Sequence, residues 1–338
     1  MKTFSDIRQL AFIFTISLFS IVLINCTGGG TQGRGLMSSS GRSGELLVVC
    51  TNSQWKGVLG DSLQAIFMRS LEFLPQNEPL FNLSHIDNEG FTPIYQKQRN
   101  ILHLNIGSEF TTASVKVIKN KWASPQLIVY IEVADEEEAM RLLSERKNTI
   151  TDFYLNSEIK RFQRAQKSQI DNSIHKKIER NYSLSMVVPQ GFIVAVQNDE
   201  FCWLRKETKY WGQSVLMYVQ NYSDTNMFLH SHIVSLRNQM TKKYVFGSVD
   251  SSYMIVEEKY IPPQSEKVNF NDLYAVKTQG IWKMHGDFMG GPFITYTILD
   301  AKRKRVVTLD GFLYAPTDDK RDLLRQIDAI LLSTRLIE

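Results

Sequence analysis

Three strand-like stretches, LYAVKTQGIWKMHG (273–286), GPFITYTILD (291–300) and RVVTLDGFLYAP (305–316), follow one another with little between them. β-Branched and aromatic residues fill them, a composition that suits a pleated, half-buried surface. The join between the first two reads HGDFMGGPF (285–293), and it limits what the region can be. A phosphate-binding loop needs a strand before it and a helix after it, so that helix N–H groups face the anion. Here a strand follows. The glycines and Pro292 are therefore read as a tight reversal or bulge, because Gly tolerates positive φ and Pro starts an edge strand.

Helical patterns interrupt the strands elsewhere. ELLVVC (45–50), RNILHLNI (99–106) and PQLIVYIEV (125–133) read as strands. Between them, 58–75 reads as a helix started by Asp61 and stopped before Pro75, with Leu63, Ile66, Phe67 and Leu71 on one face. Asp135, with Glu138 three residues on, predicts the cap of a long helix. Its stripe of Met140, Leu143, Ile150, Phe153, Ile159 and Phe162 is broken, and it runs on or re-forms to about 180. That end carries Lys160, Arg161, Arg164, Lys167, Lys176, Lys177 and Arg180. Contact with anionic lipid is one reading of these charges, and the solvated face of a connecting helix is the plainer one.

From Tyr182 a second segment starts. Residues 182–196 and 214–222 read as strands, and 197–213 as the turn between them. A helix over 223–244 presents Leu229, Ile233, Leu236 and Met240, 262–270 reads as a loop, and a last helix is capped by Thr317. The pattern predicts an α+β fold with mixed or antiparallel sheets packed against helices. It divides into an N-terminal half (45–180) and a C-terminal half (181–338) joined by the long basic helix. Both halves run strand, helix, strands, acid-capped helix. An old duplication would produce that outline, and so would generic element order.

The first residues address location. MKTFSDIRQ is followed by an uncharged apolar run over 10–24, short of the ~20 residues a spanning helix wants. The run ends in LINC, with Leu23 three residues before Cys26, and TGGGTQGRG comes next. This resembles the lipobox of bacterial lipoproteins, although Asn25 stands where that family carries Gly, Ala or Ser. The resemblance implies a signal peptide over 1–25 and lipid attachment at Cys26. The Gly/Ser-rich stretch 26–44 then reads as a flexible tether. An uncleaved membrane anchor with an incidental cysteine is the alternative. Either way the bulk of the chain is expected in the cell envelope. TGGGTQ lacks the acidic residues that mark surface export, so an outer-membrane anchor facing the periplasm is expected.

Composition fits a folded ectodomain, with 43% hydrophobic and 22% charged residues. A net charge of +4, interspersed, gives no footprint for nucleic acid. Beyond Cys26, only Cys50 and Cys202 remain, which is no disulfide framework. Chemistry has few candidates. His285 and Asp287, two apart on a strand, share a face and form a possible acid–base pair. A turn Asp more often bonds its own backbone. His230 and His232 lie about 200° apart on a helix, so they do not share a metal. Cys202 lacks a visible histidine partner and reads as a buried thiol. Trp203, Tyr210, Trp211 and Trp282 would line a pocket for an apolar or sugar-like ligand, or simply pack a core. HExxH, GxSxG and paired CxxC motifs are absent from the sequence. No cofactor or metal is implied.

The phrases GELLVV, LPQNEPLF, QRNI, PQGF, GIWKMHGDFMGGPF and GFLYAP, the last followed by KRDLLRQI, span nearly the whole mature chain. Together they resemble an uncharacterised family of Bacteroidota lipoproteins catalogued as a domain of unknown function, DUF 4837. The resemblance implies an envelope lipoprotein of a Gram-negative bacterium and brings no catalytic residues. The first expectation is a non-enzymatic, periplasm-facing binding or accessory module, held to the membrane by its lipid anchor. Its partner would be an envelope protein or a small ligand. A periplasmic hydrolase centred on His285 and Asp287 is the second reading. The third is a structural accessory of an envelope machine, docking through the basic 160–180 helix.

Overall fold

The computed structural model describes residues 35–337. The expected signal peptide (1–25), Cys26 and the tether as far as residue 34 lie outside the described residues. The end of the tether does not behave as read above. Ser39 N donates to Ser124 O at 3.2 Å, Ser40 N to Lys97 O at 2.8 Å, and Asn82 N to Gly44 O at 2.8 Å. Residues 39–44 are thus bonded to the fold, which begins before Glu45.

The first sheet has five strands: β1 (Glu45–Val49), β2 (Asn82–Ile86), β3 (Asn100–Ile106), β4 (Ser114–Lys119) and β5 (Leu127–Val133). Their order is β2-β1-β3-β5-β4. All pairs are parallel except β4 with β5. Parallel neighbours need a crossover connection, and α1 (Asn52–Lys56) with α2 (Val58–Phe67) supplies the one from β1 to β2. Leu59, Leu63 and Phe67 of α2 cover one sheet face together with α3 (Glu136–Ser168), through Leu142, Leu143, Ile150 and Tyr154. On the other face Ile101, Ile128 and Tyr130 lie under Phe91 and Trp122. Burial on both faces explains why β5 reads as an unbroken apolar run rather than an alternation.

Asp135 caps α3 as predicted, accepting from Glu138 N at 2.8 Å. The helix stops at Ser168 and re-forms as α4 (Asn172–Tyr182), capped by Asp171. Most of the basic stretch is a solvated face, but Arg161 is not. Its Nη1 lies 2.5 Å from the buried Glu158 Oε1, which also accepts from Asn100 Nδ2 at 2.8 Å.

The second sheet is entirely antiparallel. It contains β6 (Ile193–Gln197), β7 (Phe201–Glu207), β8 (Gly212–Asn221), β9 (Tyr253–Val256), β10 (Gln264–Phe270), β11 (Leu273–His285), β12 (Gly290–Asp300) and β13 (Arg305–Tyr314). The order is β9-β11-β12-β13-β8-β7-β6, with β10 on the same side of β11 as β9. One face packs on α4 and on α6 (Arg321–Leu332), through Ile174, Ile178, Ile327 and Leu331. The other packs on α5 (His230–Tyr244), through Val234 and Leu236.

This is the α+β architecture predicted, with one mixed and one antiparallel main sheet beside two two-stranded ones among the described residues. The duplication is overturned, because the two sheets differ both in strand order and in direction, one mainly parallel and the other wholly antiparallel. Three local readings also change. The segment 197–213 contains strand β7, and 262–270 contains β10, an exposed strand whose polar side chains mimic a loop. Thr317 does not cap α6. Glu78 of the N-terminal half does, accepting from Lys320 N at 2.7 Å and Arg321 N at 2.8 Å. Among the described residues no helix is long and apolar enough to cross a membrane.

Candidate functional site

At one end of the antiparallel sheet, on the face that carries α5, three connections converge. They are the β7–β8 turn (208–211), the β11–β12 turn (286–289) and the segment after α5 that begins at Val245. Between them opens a cleft of about 470 Å³. The size falls within the range of small-molecule sites, which are mostly apolar with a few placed polar groups.

Trp282 forms the floor. It is buried, and its Nε1 donates to Leu313 O at 3.1 Å. Phe312 meets it edge-on at 5.6 Å and Tyr314 lies 6.3 Å away. Directly opposite Trp282 in the ladder is Gly291. A Cβ there would sit 2.0 Å from Leu313 O and 3.1 Å from Trp282 Nε1. The glycine leaves room for the indole to cross the strand and reach that carbonyl. Gly280 does the same for Phe293, whose ring would lie 2.8 Å from an added Cβ. The glycines of this region accommodate aromatic rings.

Trp203 stands on the wall, its Nε1 donating to Ser214 Oγ at 3.1 Å. The Arg205 guanidinium lies over the Trp203 ring at 5.7 Å and pairs with Glu207 at 3.3 Å. Met254, Met284 and Met289 fill the space beside the floor, and thioether side chains adapt to irregular apolar ligands. Tyr210 and Phe246 stand exposed at the rim.

All four aromatics predicted for a pocket line this cleft. Trp211 also packs toward the core on the opposite face. Sequence reasoning missed Arg205, Glu207 and the three methionines. The available signal was the alternation Phe201, Trp203, Arg205, Glu207 along β7, hidden inside a segment read as a turn.

The other sequence candidates are placed as follows. Asp287 serves its turn, accepting from Phe288 N at 2.7 Å and from Ser248 Oγ at 2.9 Å. His285 ends β11 with its ring 4.9 Å from that of Tyr253. Among the described residues no hydrogen bond joins His285 to Asp287. His230 Nδ1 lies 2.8 Å from Ser265 Oγ, while His232 packs separately on the helix. Among the described residues no three His, Cys, Asp or Glu side chains group as metal ligands. Cys202 faces the core beneath α4, and Cys50 lies in the first half's core. Both thiols are free, and burial pushes each up to about 12. At neutral pH they are protonated and poor nucleophiles.

A second buried feature flanks the cleft. Arg237 of α5 lies 2.6 Å from Asp310 Oδ2, with its guanidinium 3.9 Å above Phe293. Tyr218 Oη is buried near the pair without a hydrogen-bond partner among the described residues, and Thr295 lies beside Asp310. The pair fixes α5 to the sheet and so holds the segment from Val245 over the cleft.

Residues 171–333 match a family model described as Domain of unknown function (DUF4837). Residues 39–167 match a second, Domain of unknown function (DUF8532). The join between the two falls at the break between α3 and α4. No curated protein matches the chain. Among solved structures, the chain is similar to the Protein Mog1 E65A mutant at 9% identity and a TM-score of 0.30, covering 46% of this chain and 92% of that one. The Saccharomyces cerevisiae Ran-binding protein Mog1p gives 9% identity, a TM-score of 0.29, and coverage of 46% and 91%. Scores this low assign no shared fold.

Proposed function

With residues 171–333 belonging to the DUF4837 family, we propose that this part of the chain is a non-enzymatic binding module. It works from a lipid-anchored position in the cell envelope, facing the periplasm. The observation that carries the binding role is the cleft over Trp282. Its floor is apolar, its rim is charged, and glycines are placed where aromatic rings need the space. An open cavity of about 470 Å³ with Tyr210 and Phe246 exposed at its mouth offers an apolar ligand a concave surface to bury. The hydrolase reading has no support of this kind, since Asp287 is occupied by its own turn.

A titration of the full chain with the neutral apolar dye N-phenyl-1-naphthylamine tests the binding role. Saturable one-to-one binding is expected, and Trp203→Ala weakens it at least tenfold, as loss of one large apolar wall predicts. Unchanged affinity in the variant would place the dye elsewhere and end the proposal for this cleft.

The anchor has its own support in the uncharged run over 10–24 followed by Cys26, and two or more acyl chains hold a protein stably. Cys26→Ala, produced in the source bacterium with labelled palmitate, is expected to lose both the label and the membrane fraction. Retention of both would contradict lipid attachment at Cys26.

A further inference from the structure

We infer that the cleft takes a single-chain anionic amphiphile, a fatty carboxylate, with its chain over Trp282 and its head at Arg205. This rests on the cleft being the ligand site and goes on to name the ligand's chemistry.

The lining sorts by depth. Val245, Met254, Trp282, Met284, Met289 and Phe312 carry no charge and form one apolar surface. A flexible chain suits it better than a sugar, whose hydroxyl groups would face three thioethers without partners. The ionisable side chains of the lining, apart from tyrosine, are Arg205, Glu207 and Lys209, two cations against one anion.

Arg205 carries the second observation. Its Nε is buried without an acceptor among the described residues, and the guanidinium lies 5.7 Å from the Trp203 ring centre and pairs with Glu207. The buried Nε is closed to the cleft, so a ligand head meets the rest of the guanidinium, on a side chain that is 38% exposed. The Glu207 contact leaves that group open to an anion. Its side chains are 38% and 60% exposed, and pairs so open to water contribute little. A ligand carboxylate would displace Glu207 at small cost and bond the guanidinium through its planar fork. A neutral head offers hydroxyl acceptors but no charge to the guanidinium, and a cationic head is repelled by Arg205 and Lys209.

The test is calorimetric titration of the full chain with octanoate, decanoate and dodecanoate below their micellar concentrations. Dodecyl maltoside and dodecyltrimethylammonium serve as the neutral and cationic heads. Affinity is expected to rise about fourfold per methylene until the cleft is filled. Dodecanoate is expected to bind at least tenfold tighter than dodecyl maltoside, with the cation weakest. Arg205→Gln brings dodecanoate down to the level of dodecyl maltoside, and Arg205→Lys, which keeps the charge but loses the fork, falls between. If dodecyl maltoside matches dodecanoate on the unmodified chain, or both variants keep the full preference, this inference is overturned and the cleft remains a ligand site. If none of the amphiphiles and no neutral dye binds, the binding role falls with it.

Discussion

Gly291 lies opposite Trp282 in the β11–β12 ladder, and what it lacks matters more than the turn it follows. A methyl group there would press on the Leu313 carbonyl at 2.0 Å. That oxygen belongs to β13 and already accepts from Trp282 Nε1, so it has little freedom to give way. Gly291→Ala is therefore expected to destabilise the chain by about 1–3 kcal/mol, the usual cost of overpacking. Denaturant unfolding followed by tryptophan emission reads both the midpoint and the disturbance of the indole. A midpoint equal to the unmodified chain would show that Trp282 does not depend on the gap. Tyr210 and Phe246 make a related point. Their exposure is visible only in the fold, because a sequence marks an aromatic in a connection without saying whether it turns inward or outward.

At the scale of elements, the long strands were legible because nothing in them conflicts. β11, β12 and β13 follow their β-branched and aromatic runs to within two residues at each end. The helix α3 and its Asp135 cap were equally plain. β7 was not. Phe201 and Trp203 face the α5 side while Cys202 and Leu204 face α4, so both of its faces carry apolar residues. Arg205, Lys206 and Glu207 then break the pattern in the very part that borders the cleft. Sites are where local rules are expected to fail, and here the failure hid the strand that supplies the one arginine lining the cleft among the described residues. α6 was misjudged at its start for another reason. Its first N–H groups are satisfied by Glu78, more than two hundred residues earlier in the chain. No reading of 315–322 alone can find a cap that arrives from the other half. The carboxylate also meets the positive end of the helix, so one residue both caps α6 and ties the halves together.

For the whole molecule, two unlike sheets share one long helix. Gln163 and Gln166 of α3 donate to carbonyls of α6 at 3.3 and 2.8 Å, and Arg325 Nη2 donates to Leu80 O at 2.7 Å. The antiparallel half presents its α5 face outward with the cleft at one end, while its other face is spent on α4 and α6. This division suits a module held by one half and binding with the other. The sequence reading reached the aromatic lining but not its rim, since convergence of three distant connections is a property of topology alone. The methionines provide the most direct test. With ¹³C-methyl methionine labels, Met254, Met284 and Met289 report on the cleft, while Met186 and Met217 report on the core of the opposite face. On titration with decanoate, the first three methyl resonances should shift in a saturable way and the last two should stay. Shifts confined to Met186 and Met217, or no shift at saturating ligand, would contradict the cleft as the site of binding.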